Sequence, residues 1–161
     1  MALDSVKIIA GVQWSLSKTT TGYAAAKQSD KHSVQASPAV ATFDHLYSVS
    51  YPILAAGTQV VDLYAAYTDL AGNSISADTK ANAVLVEVSG ASGQITWEAD
   101  ATNGLSWFLS GTSPTLTIPA SGFFLFYQPS AQVVSNTAKR ILITNTGGVT
   151  LTVKLTFLKG T

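Results

Sequence analysis

The sequence predicts an all-β protein: a single-domain antiparallel β-sandwich, jelly-roll-like, of eight to ten short strands spanning residues 1–161. Three observations lead there. From Val149 the apolar side chains fall on every second position, Val149, Leu151, Val153, Leu155 and Phe157, with Thr150, Thr152, Lys154 and Thr156 between them. That is the period of a strand with one dry face. Turn signals rich in Gly, Pro, Asn and Ser recur about every ten residues, the spacing of a sandwich or barrel. No helix-period pattern of comparable strength occurs in the chain.

Taken in order, Val6 to Leu16 reads as an apolar-rich strand in which Gly11 suggests a bulge or a close backbone approach. Ser17 to Ala39 turns polar and small and reads as a long polar loop or arm. Asp44 to Pro52 alternates, with His45, Tyr47, Val49 and Tyr51 on one face, and Pro52 marks a strand end. Gly57 to Tyr67 is a further strand, closed by the turn Asp69-Leu-Ala-Gly-Asn73. Ala83 to Val88 and Gln94 to Trp97 flank Ser89-Gly-Ala-Ser-Gly93 and read as a hairpin.

Asn103-Gly104 then precedes the apolar run Leu105 to Leu109, and Leu116 to Ile118 follows Gly111 and Pro114. Phe123-Phe-Leu-Phe-Tyr127 reads as a strand buried on both faces and stopped by Pro129, with a separate short strand at Gln132 to Ser135. At the end, Arg140 to Thr144 and the alternating run from Val149 flank Asn145-Thr-Gly-Gly148, residues that tolerate positive φ, and read as a second hairpin.

Composition narrows the function. A chain of 161 residues can bury roughly two-thirds of its unfolded surface and needs no staples. It has no cysteine, which excludes disulfides and thiolate metal sites. Only 11% of residues are charged, nine of each sign, against a usual quarter. No basic stripe is available for nucleic acid or for acidic lipid, so neither nucleic acid nor membrane is an expected partner. Little charge separates neighbouring copies, and a neutral surface favours association. The start of the chain has no basic n-region, and Asp4 and Lys7 interrupt its apolar run, so no signal peptide is expected.

Chemistry-bearing residues are few. The two histidines, His32 and His45, have no nucleophile elbow to serve. Glu87, Glu98, Asp100, Asp62 and Asp69 could supply paired carboxylates for glycoside hydrolysis, but each is more simply a strand-surface or turn residue. No catalytic residue, metal site or cofactor is therefore expected. Asp69, Asn73 and Asp78 lack the alternating spacing of a calcium loop, and Asx residues in turns usually cap their own backbone. Trp97 and Trp107, with Asn103 between them, are candidates for a glycan-stacking platform; the competing reading puts both rings in the core. In the arm, Lys18, Lys27, Lys31 and His32 outnumber Asp30, which makes it a candidate partner-contact segment.

Over roughly its last hundred residues the order of features resembles the small β-rich virion proteins of tailed bacteriophages. The residues that carry the resemblance are Thr68-Asp-Leu-Ala-Gly-Asn73, the strand Ala83 to Val88, Gly122-Phe-Phe-Leu-Phe-Tyr-Gln-Pro129 and Ile141-Leu-Ile-Thr-Asn-Thr-Gly-Gly. The resemblance implies a non-catalytic structural part of a virion, such as a head decoration or cement protein, made in the host cytoplasm. Its partners would be copies of itself and other virion proteins of capsid or tail. It carries over no functional residues. The rival expectation is a glycan- or receptor-binding β-sandwich module.

Overall fold

The computed structural model describes residues 8–18, 26–36, 45–70, 72–107, 109 and 114–160, the first two segments and Pro129 by their backbone alone. Strands β1 (Ile8–Lys18) and β2 (Ala26–Ala36) pair antiparallel along their whole length as a separate two-stranded sheet. Eight further strands build two four-stranded sheets. They are β3 (His45–Ile53), β4 (Thr58–Asp62), β7 (Lys80–Ser89), β8 (Gln94–Ala99), β9 (Thr115–Pro119), β10 (Phe123–Val133), β11 (Arg140–Asn145) and β12 (Leu151–Gly160). A small ribbon of β5 (Tyr67–Thr68) and β6 (Ser74–Ile75) lies between β4 and β7 in the chain.

The first sheet has the order β10-β7-β12-β3 and the second β4-β11-β8-β9, with every ladder antiparallel. Each connection between consecutive sandwich strands passes from one sheet to the other, except that from β8 to β9. Eight strands wound in this way are a jelly roll. The alternation read in the sequence explains why two faces meet. Val84, Val86 and Val88 of β7 and Leu151, Val153, Leu155 and Phe157 of β12 face Ile95, Trp97, Ile141 and Ile143 of the second sheet in one buried cluster. Each such aliphatic or phenyl group contributes roughly 1.5–3 kcal/mol by leaving water.

Several expectations are corrected. Neither pair of strands read as a hairpin is one: β7 and β8 lie in different sheets, as do β11 and β12. Their Gly- and Asn-rich connections are corners between the layers, and such residues suit any reversal that needs positive φ. Gly93 has φ 101, and a methyl there would sit 3.1 Å from the Gly147 Cα, so the two corners touch through glycine backbones. Val149 lies outside β12 and is exposed, and the buried register begins at Leu151.

The expected arm also differs, because 26–36 is strand; pairing with β1 takes up the backbone groups along one edge without an apolar pattern in the residues. Leu105 to Leu109 holds no strand among its described residues, although Leu105 and Trp107 are buried. Trp107 has φ 41, which no strand accommodates. Phe123–Val133 forms the edge of its sheet, so Phe123 is exposed rather than buried on both faces. Pro129 does not stop that strand: the register shifts between Tyr127 and Gln132 and pairing resumes, as an edge with a bulge allows. Of the residues expected as a separate strand, Gln132 to Ser135, the first two are its continuation and Ser135 makes only an isolated bridge to Ala138.

Candidate functional site

Two places gather chemistry, the outer face of the first sheet and the end of the sandwich nearest β5 and β6. On the outer face the registers of β10, β7, β12 and β3 set residues in rows. Phe123, Glu87, Lys154 and Ser50 form the first row, Leu125, Leu85, Thr156 and Ser48 the second, Tyr127, Ala83, Leu158 and Leu46 the third. The first row is open to solvent, and Phe123 keeps 70% of its surface exposed. Glu87 and Lys154 form an exposed ion pair at 3.4 Å, an interaction worth under about 1 kcal/mol. In the second row Ser48 Oγ and Thr156 Oγ1 are 3.0 Å apart and share a hydrogen bond. The third row buries Ala83 and Leu158 against Leu46, Tyr127 and Ala131.

A shallow groove of about 440 Å³ runs beside the first row, lined by Phe123, Glu87, Lys154, Ser89 and Ser121 among others. The outer face of the second sheet is plainer. Thr58, Thr144, Thr96 and Thr117 stand opposite one another across its four strands, followed by Val60, Leu142, Glu98 and Thr115. The second sheet's face is therefore rich in hydroxyls, the first carries mainly apolar side chains with Ser48, Ser50 and Thr156 among them, and the rows on both are poor in charge.

At the end of the sandwich the alternation of β12 carries Lys159 to the inside, directly opposite His45 of β3. Lys159 is 1% exposed. Its Nζ donates to Leu63 O at 2.6 Å, lies 3.9 Å from Asp78 Oδ2 and sits over the Tyr67 ring at 4.1 Å from the centroid. Burial lowers its pKa to about 8, against the opposing pull of the Asp78 and Asp62 carboxylates. Asp78 is wholly buried. His45 Nδ1 is 2.9 Å from its Oδ1, and Tyr67 Oη donates to its Oδ2. Tyr47 stacks on Phe157 of the core and meets Tyr67 at a tilt, so it links the cluster to the core.

Sequence reasoning missed this cluster, because Asp78 and Lys159 are far apart in the chain and neither carries a motif. One signal was present: extending the period Leu151, Val153, Leu155, Phe157 by one step puts Lys159 on the buried face.

The sequence-derived candidates are dispersed. Trp97 is fully buried and Trp107 nearly so, with Trp107 edge-on to Phe126, so neither ring offers a face to a glycan. Asn103 sits in an exposed turn at φ 59, its carbonyl accepting from the backbone N–H of Lys139 and Arg140. Lys18 is in β1 and Lys27, Lys31 and His32 are in β2; their side chains lie outside the described residues. Asp69 accepts from Asn73 with both carboxylate oxygens, the capping role of an Asx turn. Glu87 is paired with Lys154, and Asp62 lies 3.3 Å from Lys139 Nζ. Among the described residues no group of three His, Asp or Glu side chains is placed to hold a metal. No protein-family model matches the chain, and no curated protein matches its sequence.

Proposed function

We propose that the protein is a non-catalytic structural component of a virion of the tailed-bacteriophage kind, a decoration or cement protein that packs on the capsid and beside copies of itself. The observation that carries the reading is the outer face of the first sheet: an exposed Phe123, the Glu87–Lys154 pair, and otherwise uncharged side chains, apolar ones with Ser48, Ser50 and Thr156 among them. Such a face loses little hydration of charge when another protein covers it, and an exposed aromatic is the usual anchor of a contact. The jelly roll itself serves capsid and lectin domains alike, so it supports the reading by analogy of fold alone. Between the sheets the described residues form one apolar cluster.

Mixing the purified protein with undecorated capsids of the phage that carries its gene tests the reading. Saturable binding at a fixed copy number per capsid supports it, and a protein that stays in the supernatant at every concentration refutes it. The groove beside Phe123 favours one second reading, a glycan- or receptor-binding module, because an aromatic face flanked by hydroxyls and a carboxylate suits a sugar. A glycan array on the isolated protein separates the two.

A further inference from the structure

A lysine and an aspartate buried side by side usually hold each other as an ion pair, and such a pair gains little over apolar packing because both charges lose water. The pair at the end of this sandwich has three further features. The amine donates one N–H to Leu63 O at 2.6 Å, which fixes the nitrogen and leaves its other directions to the Asp78 side, where Oδ2 is 3.9 Å away. Both carboxyl oxygens of Asp78 are engaged, Oδ1 with His45 and Oδ2 with Tyr67. Tyr47 and Tyr67 lie against the amine, with centroids 5.8 and 4.1 Å from Nζ. In this dry pocket the neutral amine is accessible near neutrality, since burial lowers the Lys159 pKa to about 8. A neutral amine is a nucleophile, and a carboxyl carbon polarised by two donors is its electrophile.

We propose that Lys159 and Asp78 react with each other to form an intramolecular isopeptide bond. The ammonium gives a proton to the carboxylate within the pair, producing amine and carboxylic acid. Nζ then attacks Cγ of Asp78, and the developing negative charge on Oδ2 is met by the Tyr67 hydroxyl. His45 carries the second amine proton to Oδ1, the C–Oδ1 bond breaks, and Oδ1 leaves as water. The sum is one amide formed and one water released, with no oxidant, reductant or added reagent. Reacting atoms must approach to about 3–3.5 Å, and Nζ, 3.9 Å from Oδ2, closes on Cγ by rotation about the four methylenes of its side chain. The product ties the last strand, β12, to the segment that leads into β7, so the two neighbours in the first sheet are joined covalently as well as by their ladder.

The bond is independent of the proposed role in a virion, and its test is too. Intact-mass spectrometry of the purified, denatured protein is expected to give the sequence mass less one water. Proteolysis should then yield a branched peptide joining the Lys159 and Asp78 segments. The Lys159→Arg protein should show its full sequence mass, read on the denatured chain whether or not that variant folds well. A wild-type protein at full mass overturns the proposal. So does a missing water that maps to a linear peptide, as cyclisation of an aspartate alone would give.

Discussion

Asn145 shows how much a single side chain can hold. It is fully buried, and its Nδ2 donates to the carbonyls of Ile53, Leu54 and Val149 while its Oδ1 accepts from the Gly147 N–H. One amide thereby fastens the β3–β4 corner to the β11–β12 corner. Asn145→Ala leaves buried backbone groups without partners, each costing about 1–3 kcal/mol. Stability should fall by about 3 kcal/mol, and the melting temperature in circular dichroism by roughly 6–12 °C at the size of this chain. An unchanged melting temperature would mean that water replaces the side chain without loss. Trp97 makes the complementary case in the core: it is fully buried in the cluster shared by both sheets, and Trp97→Ala should cost about 3–5 kcal/mol.

At the scale of the element, β12 and the residues before it give a sharp contrast. Leu151 is buried between the sheets, whereas Val149, two positions earlier in the same apolar alternation, is exposed. Leu151→Asp places a carboxylate in the apolar core and should leave the protein unfolded or strongly destabilised. Val149→Asp should change stability by no more than about 0.5 kcal/mol. Urea titrations of the two variants check both expectations, and equal effects would contradict the boundary of the buried register.

The same stretch shows what could be read in advance. Alternation located β3 and β12, because burial of one face imposes a period of two whatever the partner strand is, and apolar runs beside turn residues located β7, β8 and β11. Neither could say which strands pair. Residues 89–93 and 145–148 turn the chain equally well within a sheet or between sheets, and the choice is made by contacts such as those of Asn145, far apart in sequence. The run at Leu105 misled for a related reason: Leu105 and Trp107 are apolar because they are buried, and a buried loop meets that need as well as a strand does. Of the candidate site residues, Trp97 and Trp107 went to the core, while the Lys159 cluster was visible only as the last step of the β12 alternation.

For the whole molecule, the jelly roll divides the labour between an apolar interior and two outer faces with few charges. The interior accounts for stability, and in the proposed function the outer faces serve contact. Phe123 belongs to the second group, since its ring is 70% exposed and contributes little to the core. The most direct measurement is therefore a comparison of wild-type and Phe123→Asp proteins in co-sedimentation with undecorated capsids, with thermal melts of both. The melting temperatures are expected to agree within about 2 °C, the shift of a surface change of at most half a kcal/mol. Capsid affinity is expected to drop at least about tenfold, the equivalent of 1.4 kcal/mol at a contact anchor. Equal capsid binding by two equally stable proteins would contradict the assignment of the first sheet's outer face as the contact surface.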